Sequence, residues 1–182
     1  MRSLLLALFL PFLVHAASDQ EAAFRYATTQ LPHEGTLQKT DDGMIYLKVS
    51  DRYIYELLPL LPTTLSPPPY FGPGLIGANI PIICAHELNK ASLSKLPPIG
   101  TTYKFTLDSI QSVTQQNNSK PMTAYFLRVH SPELQKIRKK AGLPSHSLDI
   151  LIGVQFLQSS TPPLELSEEK PQIKNRVTLV EQ

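Results

Sequence analysis

Five prolines and two glycines fall within residues 62–74, Pro-Thr-Thr-Leu-Ser-Pro-Pro-Pro-Tyr-Phe-Gly-Pro-Gly. Each proline removes a backbone donor and fixes φ, and the glycines add turns. No helix or inner strand can run through this stretch. Regular structure must therefore stop by Leu61 and resume after Gly74, which divides the chain into two folding segments joined by an irregular one.

Before the break, Gly43–Val49 reads as a strand. Ser50 and Asp51 offer a helix cap, and Ile54, Leu57, Leu58 and Leu61 then repeat at i, i+3, i+4 and i+7. That spacing predicts a helix over 51–61 with one apolar face. After the break, strands are expected over Leu75–Ala85 and Thr101–Val113. The polar run 115–120 turns the latter into a hairpin with Met122–Val129. Ser131-Pro132 starts a second helix, with a capping residue followed by proline at the first helical position. Leu134, Ile137, Ala141 and Leu143 form its inner face, and Gly142 and Pro144 end it. Leu148–Leu157 is the last strong strand. Residues 17–42 read as a polar lead-in with a short helix near Glu21–Ala27. Residues 159–182 read as a polar tail, with one further edge strand expected over Val177–Val180. The whole implies an α+β domain over 43–158, mostly antiparallel, with helices outside.

The N-terminus carries Arg2, then an apolar run Leu4–Val14, then Val14-His15-Ala16. This follows the plan of a secretory signal peptide over residues 1–16. The run is shorter than the roughly 20 residues a membrane-spanning helix needs. The expected destination is outside the cytoplasm, periplasmic or secreted, with no transmembrane segment after processing. The formal net charge of +2 gives no bulk attraction to nucleic acid. Cys84 is the single cysteine, so an intrachain disulfide is excluded, and its apolar neighbours suggest a buried thiol. Lys136, Arg138, Lys139 and Lys140 form a basic cluster near the end of the second helix. It reads as a solvated face favoured by the helix dipole, with a phosphate or nucleic-acid patch as the alternative.

Four strings, in order, carry a family resemblance. They are Tyr46–Val49 leading into Tyr53–Leu57, Tyr70–Gly74 leading into Ile76–Ile80, Ser131–Leu134 through Leu143, and His146–Val154. Their order and spacing resemble the two-histidine (2H) phosphoesterase superfamily. The resemblance implies two pseudo-symmetric lobes around a central cleft. It also implies two His-x-Thr/Ser motifs on facing strands, whose imidazoles exchange protons with the reacting oxygens while the hydroxyls hold the phosphate. Residues two apart on a strand share a face, so all four groups meet in the cleft. In this chain the motif-equivalent positions read Asn79-Ile80-Pro81 and Asp149-Ile150-Leu151. Asn79 cannot titrate, Pro81 and Leu151 offer no donor, and Asp149 is an anion at neutral pH.

The resemblance thus implies a degenerate member without the family's catalytic groups, acting as a binding or interaction module. Asn79, Asp149 and His146 are the cleft candidates, with Asn79 and Asp149 facing one another. A small phosphate-bearing ligand or a protein is the partner it suggests. Two rival readings stand beside it. One is a hydrolase whose chemistry has moved to His146, Asp149 and His86. The other is an exported interaction protein unrelated to 2H enzymes that docks a partner through its Pro-rich loop. No cofactor is implied, and the spacing of His86, His130, His146 and Asp149 matches no metal-ligand pattern.

Overall fold

The computed structural model describes residues 19–62, 64–117 and 120–156. The expected signal peptide, the polar tail and the edge strand over 177–180 lie outside the described residues.

Two antiparallel sheets make the framework. The first contains β1 (Glu34–Lys39), β2 (Ile45–Lys48), β3 (Asn79–Ile83) and β4 (Thr102–Lys104), in the order β3-β2-β1-β4. The second contains β5 (Thr106–Asn117), β6 (Lys120–His130) and β7 (Leu148–Phe156), in the order β5-β6-β7. Among the described residues three α-helices accompany them: α1 (Asp19–Gln30), α2 (Arg52–Tyr55) and α3 (Pro132–Lys140). The chain therefore repeats one plan, two hairpin strands, a helix and a third strand. β1-β2-α2-β3 and β5-β6-α3-β7 give the same strand order within their sheets. This is the α+β architecture of two pseudo-symmetric lobes.

The lobes exchange helices. α2 packs against β7 of the second sheet, and α3 packs against β3 of the first. β3 and β7, each a terminal strand of its sheet, also lie against each other. One continuous core results, with Leu47, Tyr53, Ile54, Ile80, Ile82, Leu127, Leu134, Ile150 and Ile152 all fully buried or nearly so. At roughly 1.5–3 kcal/mol per buried large apolar side chain, this shared layer is what joins the halves.

Several sequence expectations are corrected by the structure. The lead-in holds the expected short helix, as α1, which buries Ala23 and Ala27, but it also holds β1, an inner strand of the first sheet that the sequence pattern does not predict. The helix expected over 51–61 is a single turn, α2, followed by a 3₁₀ turn at Leu58–Leu60. Pro59 sits inside the apolar repeat, where it has no amide to donate to the preceding turn. The strand expected from Leu75 begins only at Asn79, because Gly77 adopts φ 73°. The strand expected over 101–113 is two strands in different sheets. Phe105 marks the corner between them, 4% exposed, with its N–H donating to the His33 carbonyl at 3.1 Å. The second helix matches its expected start: Ser131 Oγ accepts from the Leu134 amide, and Pro132 follows the cap.

Candidate functional site

Where β3 and β7 meet, a concavity of about 410 Å³ opens. Pro81 comes to it from β3, Asp149 and Leu151 from β7, and Phe126 from β6. Alternation along β7 puts residues 149 and 151 on one face. The register of β6 with β7 sets Phe126 opposite Leu151 and Arg128 opposite Asp149. Tyr70, Cys84, His146 and Ser147 complete the lining. Three of the four motif-equivalent positions thus face one space. The fourth does not join them: Asn79 is 3% exposed, and its side-chain amide donates to the Gly77 carbonyl at 2.8 Å. The expectation that Asn79 faces Asp149 across the concavity is corrected accordingly.

Asp149 is not an isolated anion. Arg128 Nε donates to Oδ1 at 2.9 Å and Nη2 approaches Oδ2 at 3.4 Å. The same guanidinium lies 5.8 Å from the centre of the Phe126 ring. The pairing follows from strand register across the β6-α3-β7 connection, which no local sequence pattern discloses.

His146 stands on the loop before β7, half-buried. Burial, and then the charge of Arg138, lower its pKa; Glu87, Asp149 and the Pro81 carbonyl oppose this without reversing it. The imidazole is therefore neutral at pH 7. Its Nδ1 is buried without a hydrogen-bond partner, as is Oε1 of Gln135, whose Nε2 donates to the His146 carbonyl at 2.6 Å.

Behind this loop lies a group that sequence reading placed wrongly. Arg138, expected on the solvated basic face, is 1% exposed. Its guanidinium forms a two-pronged pair with Glu87 at 2.8 and 3.0 Å, and also donates to the carbonyls of Ile82 (2.5 Å) and Pro144 (2.8 Å). Glu87 Oε2 in turn accepts from the Cys84 amide at 3.0 Å. The hydrogen bonds from Arg138 hold the Glu87 carboxyl down at about 2. One side chain thereby ties the end of β3 to the loop carrying His146. A signal for it was present: Arg138 falls at i+4 from Leu134 and three residues before Ala141, on the apolar stripe. Lys136 and Lys140 do face outward. With Lys95 they line a separate depression beside Tyr103.

Cys84 is half-buried rather than enclosed, and lines the concavity. Burial pushes its thiol pKa up, Glu87 adds to this, and Arg138 only partly offsets it. Such a thiol is a poor nucleophile. His86 is exposed. His130 borders a different depression together with His33. Among the described residues no group of three or more His, Cys, Asp or Glu is placed to hold a metal ion.

The Pro-rich segment closes over one side of the site. Ser66 and Val154 exchange backbone hydrogen bonds at 2.8 and 2.9 Å, which lays the segment along β7. Pro68 is buried, and Phe71 meets Tyr55 edge-on at 4.7 Å. Burial raises the pKa of Tyr70 to about 12.

Residues 45–156 match the family model of the Swiss Army Knife 2H phosphoesterase domain. The chain belongs to this 2H phosphoesterase family. No curated protein and no solved structure gives a significant match. Membership overturns the reading of an interaction protein unrelated to 2H enzymes. The matched span contains both β3 and β7, the strands that meet at the concavity.

Proposed function

We propose that this 2H domain is exported and binds a ligand in its central concavity without hydrolysing it. The observation that carries the reading is the chemistry at the motif-equivalent positions. Pro81 and Leu151 present no hydroxyl, Asn79 is turned into the core, and Asp149 is engaged by Arg128. General acid–base groups each supply about 10²–10⁴-fold in rate. A site with neither partner of the proton exchange has lost both factors. The composition of residues 1–16 supports export.

The test is hydrolysis of 2′,3′-cyclic phosphates and 2′–5′ linked dinucleotides by the processed protein. No turnover above that of a heat-denatured sample is expected. Mass spectrometry of protein expressed with its own N-terminus should find a start at or near Ala17.

A second reading is favoured by one observation: His146 and Asp149 do share the concavity. A relocated hydrolase would use Asp149 as base and His146 as acid. Two features oppose it. Asp149 already serves Arg128, and the Cys84 thiol is held protonated. Turnover that disappears in both His146→Ala and Asp149→Ala would establish this second reading and end the first.

A further inference from the structure

The charges around the concavity are cancelled from within. Asp149 is paired with Arg128, and Glu87 with Arg138. The remaining titratable groups of the lining, Tyr70, Cys84 and His146, are each shifted by burial toward their neutral forms. An entering anion would shed its hydration and find no uncommitted cation, which is unfavourable. The walls supply apolar surface instead, from Pro81, Leu151 and the ring of Phe126. The volume of about 410 Å³ lies within the range of sites for small organic molecules, roughly 300–1,000 Å³. Polar recognition is left to a few atoms. The oxygens of Asp149 retain lone pairs beyond those used by Arg128, the Oδ2 contact being the longer at 3.4 Å. Ser147 adds a hydroxyl on the same side.

We propose that the concavity takes an uncharged, ring-bearing small molecule that donates a hydrogen bond to Asp149, and that it discriminates against the anionic counterpart of the same ring. This rests on the non-hydrolytic reading above and names the class of ligand that reading leaves open. The ring lies on the apolar surface that Phe126, Leu151 and Pro81 supply, and its donor is fixed by the carboxylate that Arg128 orients.

Naphthol and naphthyl phosphate make a matched pair of probes, alike in ring and different in charge. Each is titrated into the isotope-labelled full-length protein while backbone amide shifts are followed. Naphthol is expected to shift the amides of Cys84, His146, Ser147 and Leu151 and to saturate. Naphthyl phosphate is expected to bind there at least about tenfold more weakly, a difference of about 1.4 kcal/mol. In Leu151→Arg the order reverses, because a free cation now faces the cavity. If that variant does not fold, Asp149→Asn serves, since it releases Arg128 and removes the acceptor. The proposal is overturned if the phosphate ester binds the wild type as tightly as naphthol, if naphthol leaves those amides unmoved, or if the variant keeps the wild-type preference. Phosphorus spectra of a parallel sample containing a 2′,3′-cyclic phosphate separate the two levels. Ring opening there would sink the non-hydrolytic reading, while the affinity ratio alone decides the ligand class.

Discussion

The two halves of the molecule share a topology and differ in how each holds its motif strand. In β1-β2-α2-β3, the helix is one turn, interrupted by Pro59, and β3 is positioned through Asp51. That carboxylate pairs with Lys48 at 2.5 Å and accepts from the Ala78 amide at 2.8 Å. In β5-β6-α3-β7, the helix has nine residues, a serine cap and a proline start. It holds both motif strands, because Arg138 reaches the Ile82 carbonyl on β3 and the Pro144 carbonyl before β7. The first half delivers an inward amide and a proline to the centre, and the second delivers a charged pair. The two halves thus repeat one strand order and place different chemistry at its centre.

The largest test of this asymmetry is Arg138→Met. Removing one partner of a buried pair costs about 3–5 kcal/mol, since the other charge is left uncompensated. Urea denaturation should show that loss, and Arg138→Met with Glu87→Gln together should recover part of it. The pH dependence carries the same signature. Glu87 has a folded pKa of about 2, depressed from 4.5. Its contribution is therefore complete above about pH 4.5 and is lost as pH falls through about 2. Wild-type stability should decline over that window, and the decline should be shallower in Arg138→Met. Equal slopes in the two proteins would show that the clamp does not govern the second half.

Next in size is a comparison of two glycines in the left-handed region. Gly77 precedes β3 at φ 73°, and Gly142 follows α3 at φ 81°. A Cβ on Gly77 would meet Lys48 Nζ and the Asp51 carboxylate, whereas one on Gly142 would enter open space. Gly142→Ala should cost about 1–2 kcal/mol, the ordinary penalty of that backbone region. Gly77→Ala should cost more, because it also displaces the ion pair that seats β3. Thermal melts of the two variants decide it, and equal losses would remove Asp51 from its role.

What the sequence disclosed divides along the same line. α3 was legible because its determinants are local: Ser131 and Pro132 at the start, Leu134 and Ile137 at helical spacing. The pairing of β5 with β6 was legible because the two segments are close in sequence, although the strands extend to Asn117 and from Lys120, into the polar run read as the turn. β1 was not, since Glu34-Gly35-Thr36-Leu37-Gln38-Lys39 contains one large apolar residue, and its place between β2 and β4 is set by tertiary pairing. The motif strands could be located by family resemblance, and three of their four positions do line one concavity. The partners Arg128 and Arg138 were missed for different reasons. Arg128 meets Asp149 through a register fixed by a distant strand. Arg138 lay on the apolar stripe in plain view, and its charge concealed the position.

The smallest effect concerns the pair in the concavity itself. Arg128 and Asp149 keep about a third and a quarter of their side-chain surface exposed. Partly exposed pairs contribute roughly 0–1 kcal/mol, far less than the clamp behind them. Asp149→Asn should therefore lower stability by less than about 1 kcal/mol in urea denaturation. Its consequence lies in recognition. With the carboxylate gone, the Arg128 guanidinium near Phe126 loses its hydrogen-bonded partner and is left with the weaker pull of Asp108. The variant should bind naphthyl phosphate more tightly than the wild type, and raising the salt concentration should weaken that gain. An Asp149→Asn protein that is strongly destabilised would mean that the pair supports the second half as the Arg138 clamp does. One that is stable yet still indifferent to the phosphate ester would mean that charge cancellation is not what sets the preference of the site.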